Sequence, residues 1–159
     1  MTHHLTQLNI ARWSRPSDAP ENADFHANLD RINALAEAQP GFVWRLTGEG
    51  NNATDVVAFD DTAVITNMSV WRDMESLAAF VYRTGHREIM RRRAEWFDRM
   101  ETYMVLWWVP AGHEPTVGEA KARLAHLAAH GPSPEAFTFS EPFPAPGEAV
   151  IAPVLERCD

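Results

Sequence analysis

The stretch Thr102-Tyr103-Met104-Val105-Leu106-Trp107-Trp108-Val109 (TYMVLWWV) decides how this chain folds. It is aromatic and β-branched, with no Gly or Pro inside, and so reads as a strand. A half-buried antiparallel strand alternates apolar and polar residues, and this one does not. Tyr103, Val105, Trp107 and Val109 share one face, while Met104, Leu106 and Trp108 share the other. Both faces need cover. The chain's own helices can cover one, and the other takes a second sheet, most simply that of an identical subunit. The alternative is that the C-terminal segment covers it within one chain. That segment has few apolar residues, so a homodimer is the expectation.

Upstream, His4–Trp13 (HLTQLNIARW) predicts a first strand and Ser14–Asn22, with two prolines, a loop. Ala23–Gln39 places Phe25, Leu29, Ile32, Leu35 and Ala36 on one helical stripe, which Pro40-Gly41 ends. Phe42–Thr47 and Ala63–Trp71 predict the second and third strands. Asp73 is the expected N-cap of a helix carrying Met74, Leu77, Ala78 and Val81, which Gly85 ends. A further helix, His86–Met100, aligns His86, Met90, Arg93, Phe97 and Met100. With Thr102–Val109 as the fourth strand, the order predicts an α+β, ferredoxin-like four-stranded antiparallel sheet with helices on one face, over residues 1–112.

Downstream, residues 113–159 read as a C-terminal helix and a Pro/Phe-rich tail packed on the same domain. Thr116 and Glu119 have capping-box spacing, and the helix they open runs to about Ala129. The segments Phe137-Thr138-Phe139 and Pro142-Phe143-Pro144 are extended, and too short to form a core of their own.

The chain's 159 residues, 45% of them apolar, make one domain. Its net charge of −8 repels nucleic-acid phosphate, and its only basic run is Arg91-Arg92-Arg93. The longest apolar run, Met104–Pro110, falls far short of the roughly 20 residues of a membrane span. Met1–Gln7 is polar and unlike a leader, so a cytoplasmic protein is expected. Arg outnumbers Lys thirteen to one, which points to a GC-rich bacterial genome. The lone Cys158 excludes a disulfide or zinc knuckle within this sequence.

Gly85-His86-Arg87, Glu95-Trp96-Phe97 and the run from Tyr103 to His113 resemble domain-of-unknown-function family 3291. Pro115-Thr116, Glu119-Ala120, His130-Gly131 and Phe137-Thr138-Phe139 extend the resemblance, which covers about Leu5 to Pro146. It implies the dimeric α+β barrel superfamily and brings no settled activity. Other members include antibiotic-biosynthesis monooxygenases that need no cofactor, haem-degrading enzymes, and chlorite dismutase-like, muconolactone isomerase-like and stress-response proteins. Fold analogy alone does not choose among these chemistries.

His86 is the leading candidate catalytic group. An imidazole on an apolar stripe suits a general base or a haem ligand, and equally a structural histidine bonded to a backbone carbonyl. The resemblance adds Asn9 and Trp71 by topology: haem-degrading relatives use a strand Asn, a strand-end Trp and a helix His. Core packing is the first expectation for Trp71. Gln7 and Asn9 share one parity of the first strand, and Asn67 and Ser69 one parity of the third. Aligned, they form a polar strip in an apolar wall, the usual build of a small-molecule pocket. Arg45 either joins them or points to solvent. Of the three consecutive arginines only Arg93 lies with His86 and Phe97, because helical geometry turns the others away. Tyr103 and Trp107 are further aromatic candidates for contact with substrate. His126 and His130 have metal-ligand spacing but no third ligand in helical register.

Three functions follow from the sequence. One is an enzyme, a cofactor-independent or haem-related monooxygenase or isomerase, acting on an apolar or aromatic substrate between sheet and helices. Another is a non-catalytic binder of haem or a small apolar ligand. The third is a structural dimer whose tryptophans are only core.

Overall fold

The structure, a computed structural model, describes residues 2–48, 50–54 and 56–148, so Cys158 and the end of the tail lie outside the described residues. The elements are β1 (His3–Trp13), α1 (Ala23–Glu37), β2 (Phe42–Arg45), β3 (Val64–Trp71), α2 (Met74–Arg83), α3 (His86–Arg91), α4 (Arg93–Trp96), β4 (Phe97–Asp98), β5 (Met104–Pro110) and α5 (Val117–His130). The fold is α+β and ferredoxin-like. Its sheet is antiparallel, with β2, β3 and β1 side by side. β5 and β4 share the other edge of β1.

Registers run Gln7↔Ser69 and Asn9↔Asn67 on one side of β1, with Gln7↔Leu106 and Asn9↔Met104 on the other. Side chains alternate across a strand, so Gln7, Asn9, Asn67, Ser69, Met104 and Leu106 all point to one face. Helices α1 and α2 lie on that face: Ile32, Ala36, Leu77 and Phe80 pack with Leu5, Trp71 and Leu106. Asp73 caps α2 as its spacing predicts, its carboxylate accepting from the Ser76 N–H at 2.8 Å.

The opposite face corrects the expectation of a covering subunit. Leu8, Met68, Val105, Trp107 and Val109 are buried there against Ala120, Leu124 and Leu127 of α5. Trp44, Leu46 and Phe59 complete the cover beside β3. The C-terminal helix and the segment between β2 and β3 therefore bury this face within one chain. Glu119 fixes α5 to the sheet, accepting from the Trp107 indole at 2.9 Å and meeting His113 Nε2 at 2.7 Å. Thr116 caps the Glu119 N–H at 3.1 Å, while the Glu119 carboxylate is occupied by Trp107 and His113. The tail also protects the outer edge of β5, where Leu106 and Phe137 exchange backbone hydrogen bonds of 2.8 and 2.9 Å.

The helix expected over His86–Met100 is a second correction. It breaks after Arg91, turns once more through α4, and becomes extended at Phe97 (φ −125°, ψ 147°). Two interactions outweigh helical propensity here. Phe97 and Asp98 pair with Trp13 and Arg12 on the free edge of β1. The side chains of Trp96 and Phe97 also enter an aromatic cluster, with the Phe97 ring 4.6 Å from Trp13 and 5.2 Å from Phe25. The sheet thus gains a fifth, two-residue strand, and Met100 packs on the opposite face from the helices.

Candidate active site

Between the sheet and its helices lies a cleft of about 570 Å³. Phe25, Leu29, Ile32, Phe80 and Ile89 form much of its apolar wall, and the polar strip of β1 and β3 forms its floor. The strip is internally bonded. Gln7 Nε2 donates to Asn67 Oδ1 at 2.7 Å and to Ser69 Oγ at 2.9 Å. Asn9 Nδ2 donates to Gln7 Oε1 at 3.2 Å, and the Trp71 indole donates to Ser69 Oγ at 2.8 Å. With Asn67 Oδ1 and Ser69 Oγ already accepting, this pattern leaves the Asn67 NH₂ and the Ser69 O–H as donors for the cleft. Both have no protein acceptor among the described residues.

His86 lines the cleft at the start of α3, its ring 4.8 Å from that of Phe80. Burial holds its pKa down at about 4, with the Val81 carbonyl pulling the other way. No hydrogen bond of good geometry reaches its buried Nδ1. The imidazole is therefore neutral at pH 7. As a general base it is weak, because its conjugate acid is far more acidic than the neutral pH at which proton transfer is best matched.

Asn9, Gln7, Asn67, Ser69, His86, Arg93, Phe97 and Tyr103 all reach the cleft, Phe97 from a strand and not from the expected helix. Two candidates do not. Trp107 is fully buried on the opposite face with Val105 and Val109, since it has their strand parity. Trp71 is fully buried behind Ser69, stacked on Phe80 at 5.2 Å with its N–H committed to Ser69, so it supports the floor without lining it. The Asn–Trp–His grouping of the haem-degrading comparison therefore does not converge in the cleft. The Val81 carbonyl beside His86 makes no well-formed hydrogen bond with Nδ1, so the imidazole is not oriented as a metal ligand's is. These residues do not fit haem.

Arg45 reaches the cleft too, held by Glu37 at 2.9 Å and Asn51 at 3.0 Å. Phe139 of the tail lines it beside Tyr82, whereas Phe143 braces β5, its carbonyl accepting from the Trp108 indole at 2.9 Å. The sequence reading missed Asn33. This α1 residue is 8% exposed, lines the cleft, and has no side-chain partner among the described residues. Its signal was legible, since it stands four residues after Leu29 and eight after Phe25, a polar group on an apolar stripe. His126 meets Glu135 at 2.8 Å, and no group of three metal-ligating side chains occurs among the described residues.

A family model described as domain of unknown function (DUF3291) matches residues 4–152. No curated protein matches the sequence. Similar solved structures include Rv0793 from Mycobacterium tuberculosis, 13% identical, covering 71% of this chain and 99% of that one at a TM-score of 0.48. PA3566 from Pseudomonas aeruginosa is 14% identical, with coverages of 69% and 94% and a TM-score of 0.46. SnoaB, a cofactor-independent oxygenase from Streptomyces nogalater, is 18% identical, with coverages of 71% and 97% and a TM-score of 0.46.

Proposed function

The chain belongs to the DUF3291 family of domains of unknown function, and we propose that its cleft binds and transforms a small aromatic or largely apolar molecule carrying at least one oxygen. The observation that carries this reading is the floor: bonded amides on β1 and β3 that leave the Asn67 NH₂ and the Ser69 O–H free beneath apolar walls. Preorganised neutral donors stabilise charge that develops on a substrate oxygen once the bound molecule displaces water from the Asn67 amide, which is exposed in the free chain.

The reaction class this suits is one in which the substrate itself forms an enolate or phenolate. Its oxygen rests on Asn67 and Ser69, with neutral His86 as a further hydrogen-bonding group. In the oxygenase form a methylene and O₂ give a carbonyl and water, with the substrate supplying the electrons. In the isomerase form the same anion is reprotonated at another carbon. In both forms the substrate's proton passes to solvent water, because His86, with its pKa of about 4, is a poor acceptor, and the isomerase form takes a proton back from the same source.

An oxygen electrode tests the first form, with an anthrone as substrate and no added metal or flavin. Asn67→Leu should reduce turnover by about a hundredfold, the scale of one lost oxyanion donor. Binding without oxygen uptake or isomerisation over a panel of anthrones and enones would instead establish the second reading, a non-catalytic binder. That reading is favoured by the weakness of His86 as a base.

A further inference from the structure

The proposed reaction does not use Arg93, which lines the cleft. The β1–β5 ladder ends where the Ile10 N–H reaches the Tyr103 carbonyl at 2.8 Å, and β4 pairs with β1 only from Arg12. The guanidinium of Arg93 fills the gap, donating from Nη2 to the Ile10 carbonyl at 3.1 Å. It lies 4.5 Å from the ring centre of Tyr103 and 5.9 Å from that of Phe97. Arg93 is half-buried and lines the cleft, yet it has no carboxylate partner among the described residues. A guanidinium carries five N–H donors, and the Ile10 carbonyl takes one.

Of the Arg and Lys side chains among the described residues, only Arg12, Arg45, Arg72 and Arg92 meet a carboxylate, and most of the others are exposed to water, whereas Arg93 is half-buried and held by a backbone carbonyl between two aromatic rings. Around the cleft, Arg45, Arg87, Arg91 and Arg93 contribute cations, and no Asp or Glu lines it among the described residues. A half-buried guanidinium left without a counter-ion loses hydration and gains little, unless a ligand supplies the charge.

We propose that the cleft selects an organic anion: an apolar, aromatic body between α1 and the sheet, with a carboxylate or comparable oxyanion on the free donors of Arg93. The cation–π contacts with Tyr103 and Phe97 hold the guanidinium plane in place, which favours a planar, two-oxygen group. This assignment rests on reading the cleft as a small-molecule site and adds the class of molecule. It makes Arg93 a specificity-determining residue, apart from the Asn67 and Ser69 donors.

Two fluorescent probes of similar aromatic body test it. 8-Anilinonaphthalene-1-sulfonate carries an anion, and N-phenyl-1-naphthylamine is its neutral counterpart. The full chain should bind the anionic probe at least tenfold more tightly than the neutral one. Arg93→Met should weaken the anionic probe roughly ten- to a hundredfold, the range of a desolvated charge-assisted contact, and leave the neutral probe unchanged. Arg93→Lys should keep most of the preference, and serves if the Met variant, without its cap on Ile10, does not fold. Equal affinity of the native chain for both probes, or equal loss of both in Arg93→Met, would overturn the anion assignment and leave the cleft reading standing. Failure of both probes to bind the native chain would overturn the cleft reading, and the anion assignment with it.

Discussion

Trp71 donates its indole N–H to Ser69 Oγ over 2.8 Å, which sets a fully buried tryptophan directly beneath the polar floor of the cleft. Ser69 also accepts from Gln7 at 2.9 Å, so one hydroxyl serves both the core and the floor. Ser69→Ala leaves the buried Trp71 N–H unpaired and reduces the Gln7 Nε2 acceptors to Asn67 Oδ1 alone. The expected cost is about 1–3 kcal/mol of stability, read from denaturant melts. Gln7 should also lose its fixed orientation, so binding of any cleft ligand should weaken in the same variant. Unchanged stability would show that Trp71 finds another partner.

His86 makes stability depend on pH in a defined direction. Its pKa is about 4 in the folded chain, against 6.5 ordinarily. Between those values the unfolded chain binds the proton that the folded one resists, so folding weakens as pH falls. The contribution is fully present above pH 6.5, is lost as pH drops toward 4, and changes little below that. Its ceiling is about 3 kcal/mol, reduced because the ring opens onto the cleft. Chemical melts from pH 7.5 to 4 should therefore show a shallower decline for His86→Phe than for the native chain. Parallel declines would mean that the imidazole titrates normally.

Helix α5 occupies the face that the sequence assigned to a second subunit. A chain ending at Gly112 should uncover Leu8, Val105, Trp107 and Val109 and associate through them or precipitate. Leu124→Glu with Leu127→Glu is the milder form, and loss of two buried leucines costs on the order of 3–6 kcal/mol. Light scattering on the truncated chain should give a mass that rises with concentration. A truncated chain that stays monomeric, with an unchanged melting temperature, would show that α5 does not protect this face.

The two-faced strand was legible because seven consecutive apolar residues leave no solvent side. What lay over each face was not. The cover comes from Leu124, on the element that follows β5, and from Phe59, on the distant segment between β2 and β3, and no local pattern states either contact. Strand parity placed Gln7, Asn9, Asn67 and Ser69 together, and the register joins them. Parity also separates Trp107 from them, a consequence available from the sequence once Met104 and Leu106 were given to the cleft face. Phe97 misled because Arg91 to Trp96 has good helical propensity, and pairing with Trp13 across more than eighty residues overrides it. Helical geometry singled out Arg93 among the three consecutive arginines, but the gap it fills in the sheet edge exists only in three dimensions.

Asn33 departs from its surroundings in a way that yields the sharpest test. It sits inside α1, 92% buried by its exposure of 8%, on the stripe that also holds Leu29 and Ala36. Asn is among the poorer residues for a helix interior, and Leu would add apolar contact on this stripe. A folding role would therefore favour Leu at this position, which matches Asn closely in size. The side chain lines the cleft, where a ligand oxygen or N–H can satisfy it. Asn33→Leu should raise stability by about 1 kcal/mol while weakening ligand binding, the opposing pair of effects that marks a residue kept for function. Denaturant melts and probe titrations on the one variant read both. If Asn33→Leu lowers stability, the amide is paired in the folded chain and belongs to the core. If it raises stability and leaves binding intact, the ligand does not reach α1, and the recognition surface is confined to the sheet.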